Sequence, residues 1–169
     1  MLKREIKGYP SGWLMGDWLG VPEAQVAELI KNFNKEWEFG CLPPLAGSVE
    51  VLRNLHSNQF RFAAITCCDI DSTTKALRKA NLYHVFGSIF SEVICLPLGH
   101  DKTPALELYD QENVVAWIED KPEAAMAGKK LGFDTFLMRA SHNRKYENEN
   151  PDHFRYVNNW SEIEDHLLR

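Results

Sequence analysis

The apolar positions change period along the chain, and the change divides it into elements. Phe60-Arg-Phe-Ala-Ala-Ile-Thr66 reads as a strand ending in a hydroxyl side chain. Ile89–Ile94, Val114–Ile118 and Thr135–Met138 are further short runs rich in β-branched and aromatic residues. Val114–Ile118 is apolar throughout, the pattern of a strand buried on both faces. Between these runs the period is helical. Thr73–Ala80 places Ala76, Leu77 and Ala80 on an inward face, behind Asp71 or Ser72 as N-cap. Thr103-Pro104 opens a helix reaching Tyr109, and Lys121-Pro122 opens another over Glu123–Leu131. In the latter, Ala124, Ala125, Ala127 and Leu131 turn toward a sheet, and Gly132 is the stop. This alternation predicts a parallel, doubly wound α/β sheet from Phe60 onward.

Ahead of that core, Val21-Pro22-Glu23 begins a helix with Val26, Leu29, Ile30 and Phe33 at helical spacing, and Leu42-Pro43-Pro44 breaks the segment. Leu45–Ser48 starts a second helix that buries Val49, Val51, Leu52 and Leu55. Residues 1–41 are therefore expected to form a small helical unit, and residues 42–169 the α/β core. Trp13, Trp18 and Trp37 are expected to pack that unit onto the body, the alternative being rings that stack on a ligand. Beyond Met138 the tail turns polar, and Trp160–Leu168 forms a last amphipathic helix.

Composition narrows the class. A chain of 169 residues, 44% hydrophobic and 11% aromatic, suits one folded domain with a real core. The net charge of −5 provides no basic footprint for a nucleic-acid duplex. No apolar run is long enough to span a bilayer, and no signal-peptide core follows Met1-Leu-Lys-Arg-Glu-Ile-Lys7. Four cysteines without a CxxC pair point to reduced thiols in the cytoplasm rather than zinc. Cys67 and Cys68, adjacent at a strand end, point to opposite faces and are not expected to bond.

Three polar features fall at carboxyl ends of strands or in the loops beside them: Thr66, Lys102 and the pair Glu119/Asp120. In open α/β sheets that edge binds ligands. A hydroxyl, an ammonium and two carboxylates suit a phosphate with a divalent cation, because the ammonium offsets phosphate charge and hard oxygens hold Mg²⁺. Taken singly, each reads equally well as an ordinary strand-end, helix-start or loop residue.

Ala63-Ala-Ile-Thr66, Lys102 and Trp117-Ile-Glu-Asp-Lys-Pro122, in that order, resemble the second, third and fourth motifs of the haloacid-dehalogenase (HAD) superfamily of phosphatases. The resemblance covers nearly the whole chain and is strongest to the 5′(3′)-deoxyribonucleotidase branch. Residues 12–39 look like that branch's helical cap, Leu42–Leu52 like the helix returning to the core, and Ser141-His-Asn-Arg144 with Trp160 like its ending. The resemblance implies a HAD-like, Rossmannoid parallel sheet with a small helical cap. It implies that Thr66, or Cys67 one residue on, binds the phosphoryl group, that Lys102 neutralises it, and that Glu119 and Asp120 contribute to an Mg²⁺ site. Trp13 and Trp18 would lie on the cap side of the substrate, a nucleoside monophosphate or other phosphomonoester. Glu119 departs from the aspartate frequent at its position.

The larger departure is the family's first motif, a buried strand ending in Asp-x-Asp. Its nearest imitation, Trp13-Leu-Met-Gly-Asp-Trp-Leu-Gly-Val21, puts Asp17 in the nucleophile's place, but Leu19 stands where the second aspartate belongs. Aligned through the cap, Asp17 is a cap residue. Without the nucleophile no aspartyl-phosphate forms, so little or no turnover is expected. The missing strand belongs at the centre of the sheet, between those ending at Thr66 and Ile118, and Leu2–Lys7 is too charged to replace it. The neighbouring strands are then expected to pair directly, to receive a strand from another chain, or to await sequence encoded upstream of Met1. The alternative function is a pseudoenzyme that binds a nucleotide or a protein partner through the remaining crevice. A receiver-type domain, which also gathers acids, a hydroxyl and a lysine around Mg²⁺, leaves the helical unit and the Trp160 tail unexplained.

Overall fold

The computed structural model describes residues 15–169, with Asp17 described by its backbone alone. Two helices come first, α1 (Gly16–Leu19) and α2 (Glu23–Phe33). The Glu23 carboxylate accepts the Gly16 N–H at 2.6 Å and ties one to the other. Glu23 in the first turn of α2 and Lys31 in its last suit the helix dipole. Only Val26 of the four apolar positions in α2 is buried, while Leu29 and Phe33 are exposed. The expected apolar inner face of α2 is therefore buried at one position rather than four. A 3₁₀ turn, Trp37–Cys41, then seats buried Phe39 beside α4, introduced below. Trp37 is 67% exposed, which corrects its expected packing role.

The core follows in the predicted alternation, as α3 (Ser48–Ser57), β1 (Phe62–Cys67), α4 (Ser72–Phe86), β2 (Phe90–Leu96), α5 (Thr103–Leu106), β3 (Trp117–Glu119), α6 (Pro122–Lys130) and β4 (Thr135–Met138). Asp71 caps α4 by accepting the Thr74 N–H at 3.0 Å. α4 runs a turn and a half past its expected end, to Gly87 at φ 73°. Its phase also differs: Thr74, Asn81 and Leu82 are buried, whereas Ala76 and Ala80 are exposed. Apolar, small and basic residues are interleaved along this helix without one clear apolar stripe, so the packing surface decides its phase. Two elements escaped the sequence reading, α7 (Arg144–Glu149) and β5 (Arg155–Val157), and α8 (Trp160–Leu167) closes the chain. β5 is only three residues long and carries an arginine, too little pattern to register. Asn159 and Glu162 cap α8 reciprocally, the Asn159 side chain accepting the Glu162 N–H and the Glu162 carboxylate accepting the Asn158 N–H.

Among the described residues all strand pairings are parallel, and they form two sheets rather than one. The first is β1–β2; the second has the order β3–β4–β5. Of the three arrangements expected for the strands ending at Thr66 and Ile118, direct pairing is not found among the described residues: β1 and β3 are the inner edges of separate sheets. Helices hold the two sheets side by side, α3 packing against both α4 and α8. The deepest side chains belong to β4 and its neighbours, where Phe136 and Leu137 are wholly buried with Ile163 of α8. Asp134 fastens this layer, 2.9 Å from His166 and 3.7 Å from Arg155. Among the described residues, no helix is long and apolar enough to cross a membrane.

Candidate functional site

β3 is shorter than its apolar run predicts. Val115 is 58% exposed and outside the strand, whereas Glu119 lies within it and is buried. Among the described residues β3 pairs only with the four-residue β4, and the ladder stops at three rungs, Trp117 to Glu119. Strand β3 thus delivers a carboxylate, not an apolar end, to the head of the sheet. β1 arrives with Thr66 and Cys67, and the loop after β2 arrives with Lys102 at the start of α5. The Lys102 ammonium donates to the Glu119 carboxylate, with the two side chains only 15% and 7% exposed. It also stands 5.4 Å from the centre of the Trp117 ring. Burial pushes the Glu119 carboxyl above the ordinary range, and the adjoining Lys102 pulls it partly back.

The structure brings Thr66, Lys102, Glu119 and Asp120 to one cavity of about 400 Å³ between β1 and β3. Cys67 is not on its wall. Its thiol donates to the His100 carbonyl at 3.3 Å, yet remains within electrostatic reach of Lys102 and Glu119. Asp120 is half exposed, its carboxylate 3.3 Å from Nε2 of His142. Asp17 lies in helix α1, not at a strand end. Trp18 is half-buried in α1 and outside the cavity wall, and Trp13 falls outside the described residues. Among the described residues, the tryptophans that line the cavity are instead Trp117 and Trp160. Indole nitrogens and strand-end aromatics carry no local signal of this placement.

Asn143 lies in the Ser141–Arg144 stretch, where the sequence assigns it no role of its own. Its buried side chain donates to the carbonyls of Asp120 and Met138, both at 2.8 Å, and accepts the Ala140 N–H at 3.0 Å. It therefore locks the loops after β3 and β4 together and positions Asp120. After β1, Asp69 adopts φ 96°, a conformation that a residue bearing a Cβ seldom takes. It is held there by its N–H on the Leu96 carbonyl at 3.0 Å and its carboxylate on the Ile70 N–H at 2.8 Å. Asn34, buried, donates to the Cys68 carbonyl at 2.7 Å, so the helical unit of residues 15–41 docks beside this same turn.

Glu119 and Asp120 are the two carboxylates that the described residues bring to the cavity wall. Glu119 is committed to Lys102, and among the described residues no group of three or more His, Cys, Asp or Glu side chains could hold a metal ion. A thiol nucleophile is unsupported. Burial raises the Cys67 thiol, and burial together with nearby Cys95 pushes Cys68 up to about 12, so both stay protonated near neutrality.

Trp117 owes its position to a glycine. Its indole N–H donates to the Ala124 carbonyl at 2.9 Å, and its ring lies directly on Gly128 of α6. A Cβ at residue 128 would sit 2.7 Å from Cγ of that ring. Gly128→Ala is accordingly expected to cost about 1–3 kcal/mol by overpacking, despite the better helix propensity of alanine. Chemical denaturation monitored by tryptophan fluorescence measures both the loss and the displacement of the ring. A neutral or stabilising result would contradict this contact.

The fold and this edge define a mixed α/β protein with parallel strands and a polar cluster at their carboxyl ends. No protein-family model, no curated protein and no solved structure matches the chain.

Proposed function

We propose that the chain is a phosphoester-binding protein of HAD type, related to Mg²⁺-dependent nucleotidases but with little or no hydrolytic turnover of its own. The observation that carries this reading is the Lys102–Glu119 pair at the head of the cavity, with Thr66 on the same wall. A phosphate entering there meets a half-buried ammonium and a hydroxyl, while Glu119 keeps the site neutral when empty. The helical unit beside the β1 turn would act as the cap over a nucleoside. Turnover is absent from the reading because Glu119 and Asp120 are the only carboxylates described on the cavity wall, and neither is a free nucleophile.

Calorimetry with deoxynucleoside monophosphates, in the presence and absence of Mg²⁺, tests the reading. Glu119→Gln releases the ammonium and is expected to tighten phosphate binding by about tenfold, the worth of a charge-assisted hydrogen bond. The double variant Lys102→Met/Glu119→Gln keeps the cavity neutral and is expected to abolish binding. Phosphate release should remain at background in every case. No detectable binding by either the wild type or Glu119→Gln would remove the proposal. Sustained Mg²⁺-dependent turnover would overturn its non-catalytic part.

A further inference from the structure

Among the described residues, β4 has a neighbour on each side and is buried through Thr135, Phe136 and Leu137, whereas β1 and β3 have one neighbour each and stay largely half-exposed. Their open edges border the same cavity. The Trp117 N–H donates toward β4, to the Asp134 carbonyl at 2.9 Å. By strand alternation, the N–H and C=O of Ile118 then point into the gap. β1 and β3 also run the same way. β1 is parallel to β2, and the loop leaving β2 carries Lys102 to the end of β3. The gap is walled by apolar side chains, Leu52 from α3, Leu82 and Phe86 from α4, and Met138 and Trp160 from the second sheet's side. Backbone edges facing a largely apolar space are costly unless paired.

Arg78 adds a charge to this demand. It lines the gap from α4, and its guanidinium donates to the Asn81 side chain at 2.9 Å. Its Nε is buried with no hydrogen-bond partner, and no ion pair joins it to an acid among the described residues. A guanidinium so placed calls for a carboxylate.

We propose that the gap between β1 and β3 is a strand-acceptor site. It takes an extended segment of another polypeptide, apolar on both faces except for one acidic side chain that meets Arg78. Only a peptide strand offers backbone donors and acceptors to both edges at the repeat of about 3.3 Å that they require. Inserted, it joins the two sheets into one, with the order β2, β1, guest, β3, β4, β5. The inference stands on the open edges and on Arg78, and does not depend on phosphate binding at Lys102.

The probe is the peptide acetyl-KVIVEVIVK-amide, followed by amide hydrogen exchange on the full chain. Two controls accompany it, one N-methylated at alternate residues and one with lysine in place of the glutamate. The parent peptide is expected to slow exchange in Phe62–Thr66 and Trp117–Glu119 by about tenfold or more, and the N-methylated peptide is expected not to. The lysine peptide should bind about tenfold more weakly, a preference that Arg78→Gln removes. Because the charge is also changed on the peptide, a poorly folded Arg78→Gln does not spoil the test. The proposal is overturned if the inner edges of the free chain exchange as slowly as β4. Equal protection by the parent and N-methylated peptides, or none by either, also overturns it. Protection that rises with protein concentration alone would make a second copy the occupant and overturn it as stated.

Discussion

Replacing Lys102 with methionine is expected to destabilise the fold by about 3–5 kcal/mol near neutral pH, because it strands a buried charge. Glu119 is 7% exposed on its side chain, and Lys102 is its ion-pair partner. Methionine preserves the stem against Trp117 but leaves the carboxylate without compensation. The pH dependence identifies the cause. In the wild type, burial already raises the Glu119 carboxyl above its unfolded value. A raised acid binds its proton more tightly folded than unfolded, so its contribution to stability declines as pH rises through the interval between the two values. Removing the cation that pulls the titration back widens that interval upward. The penalty of Lys102→Met is therefore greatest at neutral and higher pH, and shrinks on acidification as Glu119 takes up a proton. The double variant with Glu119→Gln should recover most of the loss, since neither charge is then buried. Urea denaturation across the acidic and neutral range measures all three proteins. A loss below about 1 kcal/mol, the scale of an exposed pair, or one independent of pH would refute the buried pair.

Phe136→Ala is expected to cost a similar amount, about 3–5 kcal/mol, through a different mechanism. Phe136 is wholly buried at the centre of β4 and packs with Val157 of β5 and Ile163 of α8. The His166 ring meets it edge-on with centroids 5.3 Å apart, and the Arg155 guanidinium lies 5.6 Å from its centre. Truncation therefore opens a void where three elements meet, and the site cannot collapse without moving β5 or α8. The loss should be insensitive to pH between the acidic and neutral range, unlike that of Lys102→Met. An equilibrium unfolding experiment showing less than about 1 kcal/mol would mean that the second sheet is not where the core's stability resides.

Several features were legible in the sequence because their cause is local. Thr135–Met138 is observed as predicted, since a compact apolar run between a helix stop and a polar tail has one conformation that fits. Pro122 opens α6 and Gly132, at φ 83°, ends it, because proline and glycine act through their own backbone geometry. Asp71 caps α4 for a similar reason. Of the candidate site, Thr66, Lys102, Glu119 and Asp120 were found from their places at strand ends, and they do share one cavity. Their pairing was not legible. Nothing in Trp117-Ile-Glu-Asp120 says that Glu119 is consumed by Lys102 while Asp120 faces His142. The phase of α4, which puts Arg78 rather than Ala76 toward the gap, was equally hidden, as was Asn143, whose importance lies entirely in what it bonds.

By itself, the sequence determined the order of elements from α3 to β4, the α/β class, and which polar residues stand at the carboxyl ends of strands. Those properties follow from the periodicity, turn chemistry and local backbone preferences of each segment. The tertiary structure alone decided that the strands divide into two sheets, that an open gap separates β1 from β3, and which charges around it are paired. Those outcomes depend on edges, layers and burial shared between residues far apart in the chain, a competition that no local stretch records.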